Sequence, residues 1–142
     1  MKIKELIAGK RVSTISPSAS AYDLVMSLEH HHIGALVVSR DGKKIDGIVS
    51  ERDVVRAMPH RIHEITELTV SDLMSVDVVT CTSDASVEEI MQIMTENRFR
   101  HMPVVDDSGN LLSIISIGDL VKAYISDINA ERTALRDYIT KS

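Results

Sequence analysis

"GIVSERDVV", residues 47–55, returns as "SIISIGDLV", residues 113–121, sixty-six positions further along the 142-residue chain. In both stretches an apolar, β-branched run ends in a serine and an aspartate stands three residues on: Ser50 with Asp53, and Ser116 with Asp119. Such a run reads as a strand, and Ser followed by an acid at that spacing marks the first turn of a helix. The same strand-to-helix junction is therefore written twice.

Working outward at the same offset, the chain aligns with itself without a gap from Val12/Val78 to Ala57/Ala123. Identities fall at Thr14/Thr80, Ser20/Ser86, Val38/Val104, Ser50/Ser116 and Asp53/Asp119 among others. An internal duplication follows, and it has to be read before the fold. Each copy opens with an extended segment, "VSTIS" at 12–16 or "VVTCT" at 78–82. Ser20 and Ser86 then have the position of helix N-caps, with Asp23 and Glu89 three residues on in the capping-box pattern. Ala21, Leu24, Val25 and Leu28 recur at helical spacing, as do Val87, Ile90, Met91 and Met94. Two short strands follow, "GALVVS" with "IDGIVS" or "MPVVD" with "LLSIIS", joined by turns at Asp41-Gly42 and Ser108-Gly109-Asn110. A last helix starts near Glu51 or Ile117.

The expected fold is therefore α/β (α+β), with strand, helix, strand, strand, helix in each repeat. The expected boundaries are 1–58 for the first repeat, 59–69 for a connection, 70–124 for the second repeat and 125–142 for a helical tail. Pro59 is expected to stop the first copy's last helix. "VSDLM" at 70–74 resembles "IKELI" at 3–7 as a lead-in to its repeat. In the tail, Ile125, Ile128, Leu135 and Ile139 lie close to one stripe, so it either caps the domain or packs on a partner.

Composition narrows the function. A net charge of −5 and 3% aromatic content argue against a general grip on nucleic acid and against base-stacking platforms. No apolar stretch approaches the roughly 20 residues that span a bilayer, and Met1–Lys10 lacks the apolar core of a secretory signal, so a cytoplasmic protein is expected. The single Cys81 excludes an internal disulfide and reads as a buried strand thiol. Neighbouring helical residues point about 100° apart, so His30, His31 and His32 do not converge on a metal. No catalytic set and no Gly-rich phosphate loop is found, and the expectation is that the chain is not an enzyme.

Ser-x-x-Asp at a strand-to-helix junction also has a plain structural use as a helix cap. Asp is a shorter reach-back residue than the Glu or Gln that the capping box favours, yet it recurs at both junctions. An ionised carboxylate only accepts hydrogen bonds, which suits the vicinal hydroxyls of a ribose. The serine hydroxyl and first-turn amides suit a phosphate.

With "GIVSERDVV", "SIISIGDLV", "RHMPVVD" at 100–106 and the opening Thr14 and Thr80 segments, nearly the whole chain resembles a tandem pair of CBS domains. These are the units found in cystathionine beta-synthase and in the gamma subunit of AMP-activated kinase. The resemblance implies two pseudo-twofold-related repeats with a C-terminal helical extension, and clefts between the repeats that bind adenosine nucleotides. It further implies ribose binding by Asp53 and Asp119. Ser50, Ser116 and Arg52 would lie near ribose or phosphate, Arg100 and His101 would meet phosphate, and Thr14, Thr80 and Pro103 would contact adenine. The implied ligand is a regulatory adenosine nucleotide, AMP first, with ATP, NAD or S-adenosylmethionine as alternatives. A homodimer and an unidentified protein partner are also implied, and a ligand-free interaction module is the rival reading. At the sixty-six-residue offset Gly34-Ala35 stands where the second copy has Arg100-His101, so the two clefts are expected to differ.

Overall fold

A computed structural model describes residues 1–141. In the first repeat α1 (Ile3–Ile7), β1 (Thr14–Ile15), α2 (Ala21–His31), β2 (Ala35–Val38), β3 (Gly47–Ser50) and α3 (Glu51–Arg61) follow one another. After a 3₁₀ turn (Ile62–Glu64) come α4 (Val70–Leu73), β4 (Cys81–Thr82), α5 (Val87–Asn97), β5 (His101–Val105), β6 (Leu111–Ser116) and α6 (Ile117–Lys141). The expected tail reaches residue 142, which lies outside the described residues.

Each repeat holds a three-stranded sheet, β1-β2-β3 or β4-β5-β6, in which the first pair is parallel and the second antiparallel. The helix between β1 and β2 makes the parallel crossover, and the turns at Gly42 and Gly109 close the hairpins with φ of 78° and 81°. Those positive values suit glycine, which has no Cβ to clash. Asp41 Oδ1 accepts from the Lys43 and Lys44 amides, and Asp106 Oδ1 from those of Ser108 and Asn110. These bonds hold both carboxyls below the usual carboxylate range. The opening strands are only two residues long, β1 pairing with β2 through Thr14 and Ile15 and β4 with β5 through Cys81 and Thr82.

The lead-ins change places. Ile3 of α1 is buried in the second repeat's core with Cys81, Val87, Ile90, Met94, Met102 and Leu120, while Val70 of α4 is buried in the first repeat's core with Leu24, Leu36 and Val49. Matching backbone bonds fix the exchange: the Ile3 amide donates to the Ala85 carbonyl at 2.9 Å and the Val70 amide to that of Ala19 at 2.8 Å. Neither repeat completes its core alone. Burying a side chain such as Ile3 or Val70 stabilises by roughly 1.5–3 kcal/mol, so the exchange fastens the two halves into one module.

Two local expectations are corrected. Pro59 does not stop α3, which continues to Arg61. Proline removes one amide donor, but the carbonyl four residues back belongs to the exposed Val55, where water can replace the lost bond. At α2 and α5, Ser20 and Ser86 accept from the amides of Asp23 and Glu89, yet the two acids, exposed to water, do not reach back. The completed boxes stand elsewhere.

Candidate functional site

The first completed box is at the α3 junction. The Ser50 amide and hydroxyl both donate to Asp53 Oδ2, at 2.7 and 3.0 Å, and the Asp53 amide donates to Ser50 Oγ at 3.3 Å. At the α6 junction the Ser116 amide donates to Asp119 Oδ2 at 3.1 Å and the Asp119 amide to Ser116 Oγ at 3.1 Å. Asp is thus long enough to reach back, and the plain capping role is real. It uses one oxygen of each carboxylate. Among the described residues Oδ1 of Asp53 accepts no hydrogen bond, so half of the group's acceptor capacity is open to a ligand.

Around Asp53 the two repeats enclose a cavity of about 280 Å³. The first repeat lines it with Gly34, Ala35, Ile48, Ser50, Glu51, Arg52, Asp53 and Arg56. The second lines it with Ser75, Asp77, Val78 and Val79 on one side and Arg98, Phe99, Arg100 and His101 on the other. Four arginines from both repeats face one small space, and among the described residues none of their guanidinium groups is in an ion pair or hydrogen bond. In a chain of net charge −5 this is a local concentration of unspent cationic donors. Guanidinium groups suit phosphate because their fork matches two oxygens at once. The lining is otherwise apolar at Ile48, Val78, Val79 and Phe99, a combination suited to a flat ring carrying an anionic tail.

Local structure explains why these side chains meet. The residue closing α5, Arg98, is left-handed at φ 59°, which turns the chain sharply from the helix into β5 and leads Arg98–His101 along the cleft. On the far wall, Ile48 and Ser75 exchange backbone bonds of 2.9 Å, holding the start of 75–79 against β3. Gly47 permits that approach, since a Cβ there would lie 2.8 Å from the Ser75 carbonyl oxygen and the Met74 sulfur.

His101 sits at the seam. A Cβ on Gly34 would come within 3.2 Å of its ring and 3.5 Å of the Glu51 carboxylate, so the small residues of the first copy make room for the large ones of the second. Burial pushes the His101 pKa below its ordinary value; Glu51 and Asp119 pull it back up and Arg100 pushes it down. The imidazole is therefore within electrostatic reach of acids at both junctions.

Of the residues singled out from sequence, Ser50, Arg52, Asp53, Arg100 and His101 come together in this cleft. Ser116 and Asp119 occupy the opposite junction, where Ser116 pairs with His101 in the sheet. Thr14, in β1, pairs with Val37 of β2, Thr80 is exposed just before β4, and Pro103 is buried opposite Ile114; none of the three lines the cleft. Arg56, Arg98, Asp77 and Val79 were not singled out from sequence. Arg56 could have been found, since it lies one helical turn after Asp53. Cys81 is in the core, where burial raises its thiol pKa to about 11 and keeps it protonated. Among the described residues no group of three or more His, Cys, Asp and Glu could hold a metal, and no helix is long and apolar enough to cross a membrane.

Two duplicated α/β units, joined by exchanged lead-ins around an inter-repeat cleft, define a tandem-repeat module. The chain belongs to the CBS-domain family: CBS domain matches residues 3–60 and 70–126. It is 36% identical over 124 residues to the mitochondrial CBS domain-containing protein CBSX3 of Arabidopsis thaliana, covering 84% of this chain and 60% of that one. It thus spans less than two thirds of that relative. The CBS-domain containing protein ATU1752 from Agrobacterium tumefaciens matches with a TM-score of 0.82 at 39% identity, over 87% of this chain and 99% of that one. A structure of CBSX2 in complex with AMP shares the fold, with a TM-score of 0.76 at 23% identity over 88% of this chain and 96% of the other.

Proposed function

We propose that the chain is a non-catalytic cytoplasmic sensor that binds an adenosine nucleotide, AMP first, in the Asp53 cleft and signals by changing shape. The observation that carries this reading is the convergence of the open oxygen of Asp53, from one repeat, with the unpaired Arg98 and Arg100 from the other. In this reading Asp53 Oδ1 accepts from the ribose hydroxyls, the adenine rests against Val78 and Val79, and the arginines and His101 hold the phosphate. The crystallised relative with AMP is the same fold.

The signal follows from where the cleft lies. A nucleotide touching both repeats binds best at one mutual angle of the two, and it shifts the population toward that angle by its differential affinity. The changed surface is read by a protein partner, and the working form is a homodimer. A second reading has one observation in its favour: the Ser50–Asp53 box is complete without any ligand, as a module that only binds protein would have it.

Thermal unfolding against AMP, ADP, ATP, NAD and S-adenosylmethionine separates the two. A ligand at a hundred times its dissociation constant adds about 2.7 kcal/mol to the folded state, a visible rise in melting temperature. A rise with one adenosine compound supports the sensor and names its ligand. No rise with any of the five sinks it and leaves the interaction module.

A further inference from the structure

The C-terminal helix is longer than the fold needs. α6 buries Leu120 and Ala123 in the second core, and at Asp127 its carboxylate holds the Met1 ammonium at 3.1 Å. Beyond that point, every residue from Ile128 to Lys141 is exposed. Fourteen residues of exposed helix extend about 21 Å, and a helix of that length is marginal in water unless its apolar face is covered.

Val121, Ile125, Ile128, Leu135 and Ile139 are spaced by four, three, seven and four residues, the alternation of a two-stranded coiled-coil seam with Arg132 in the one gap. Ile125 is 52% exposed, Ile128 44% and Leu135 61%, so the seam faces outward rather than onto this chain. Glu131 and Arg136 then flank the seam on opposite sides, five residues apart. That is the separation at which an acid on one helix meets a base on a parallel, in-register partner. An antiparallel partner would instead bring Glu131 beside tyrosines and Arg136 beside Asn129 or itself. A single cation in the seam favours two strands over more.

We infer that the tail is the surface on which a second copy of this chain docks, parallel and in register, with two symmetric Glu131–Arg136 pairs fixing the direction. The inference rests on the dimeric reading above, but it can fail separately. Joining two tails that each carry a folded module also places any other contacts between the copies at high effective concentration, so a short seam suffices.

The test uses full-length protein. Leu135→Cys lies on the seam and Thr133→Cys on the outer face; wild type, with its buried Cys81, is the background. Under mild oxidation Leu135→Cys is expected to form a disulfide-linked dimer at least about tenfold faster than Thr133→Cys, because only seam residues meet their own twins. Glu131→Arg and Arg136→Glu should each weaken the dimer severalfold in sedimentation, and an equimolar mixture of the two should regain wild-type affinity. A chain that sediments as a monomer at all concentrations overturns both the dimer and the tail. A dimer with equal cross-linking at 133 and 135, or with no recovery on mixing, overturns the parallel tail and leaves the dimer to another face, such as the groove between α2 and α3.

Discussion

At the Asp53 junction the facing loop carries Arg98, Arg100 and His101; at the sixty-six-residue offset the first copy has His32, Gly34 and Ala35, of which Gly34 and Ala35 line the same cleft without adding a charge. On the helices the contrast repeats, with Arg52 and Arg56 in one copy and Gly118 and Lys122 in the other. Both junctions keep the cap: each Asp carboxylate accepts from the Ser amide, and each Asp amide donates to the Ser hydroxyl oxygen. The cap serves the start of the helix at both places. In the segments that follow α2 and α5, the left-handed helix end is kept at His32 and Arg98 while the side chains differ. Their divergence is complementary, since Gly34 is what lets the His101 ring sit at the seam. The lesson is that a shared motif marks where a site can be, and the residues brought opposite it decide which copy is the stronger candidate.

The most severe way to break this comparison is to remove the two carboxylates one at a time. Asp53→Ala and Asp119→Ala should cost similar stability, on the order of 1 kcal/mol each for a lost cap. Their effects on ligand should part. A hydrogen bond to a charged group contributes roughly 1.5–3 kcal/mol, so Asp53→Ala should weaken AMP by about tenfold to a hundredfold, while Asp119→Ala leaves it within about twofold. Calorimetric titration reads both, and equal losses would show that the copies are equivalent.

A smaller effect sharpens the contrast at Arg98. Its left-handed backbone costs on the order of 1 kcal/mol for a residue with a Cβ. Arg98→Gly should therefore raise stability by about 0.5–1 kcal/mol in denaturant unfolding while lowering AMP affinity severalfold. A variant that is more stable with unchanged affinity would show that the strain serves no ligand.

The smallest effect concerns protons. The folded-state pKa of His101 is below its ordinary value of 6.5, chiefly through burial. Above that value the imidazole is neutral in both states and nothing is lost. As the pH falls through 6.5 the unfolded chain takes up the proton first, so stability drops until the lower folded-state pKa is passed. His101→Gln should flatten this part of the stability profile between neutral and mildly acidic pH. A profile that wild type and variant share would remove His101 as its source.

The strand-helix order was legible because aliphatic runs, N-cap serines and turn glycines act locally. Pro59 misled because its effect depends on whether the abandoned carbonyl meets water, which is a matter of exposure. Arg98 was passed over because the left-handed position after Asn97 holds an arginine rather than the glycine or asparagine usual there. Thr80 was carried over from resemblance, whereas the structure turns Val78 and Val79 to the cleft.

By itself, the sequence determined the duplication, the order of elements, the two capped junctions and the inequality of Gly34-Ala35 and Arg100-His101, all of which are properties of neighbouring residues or of one fixed offset. Tertiary structure alone decided that α1 and α4 exchange cores and that Asp53, rather than Asp119, shares a cleft with Arg100. Those outcomes depend on how two similar halves pack across a seam, and side chains far apart in the chain become neighbours only when both cores are buried together.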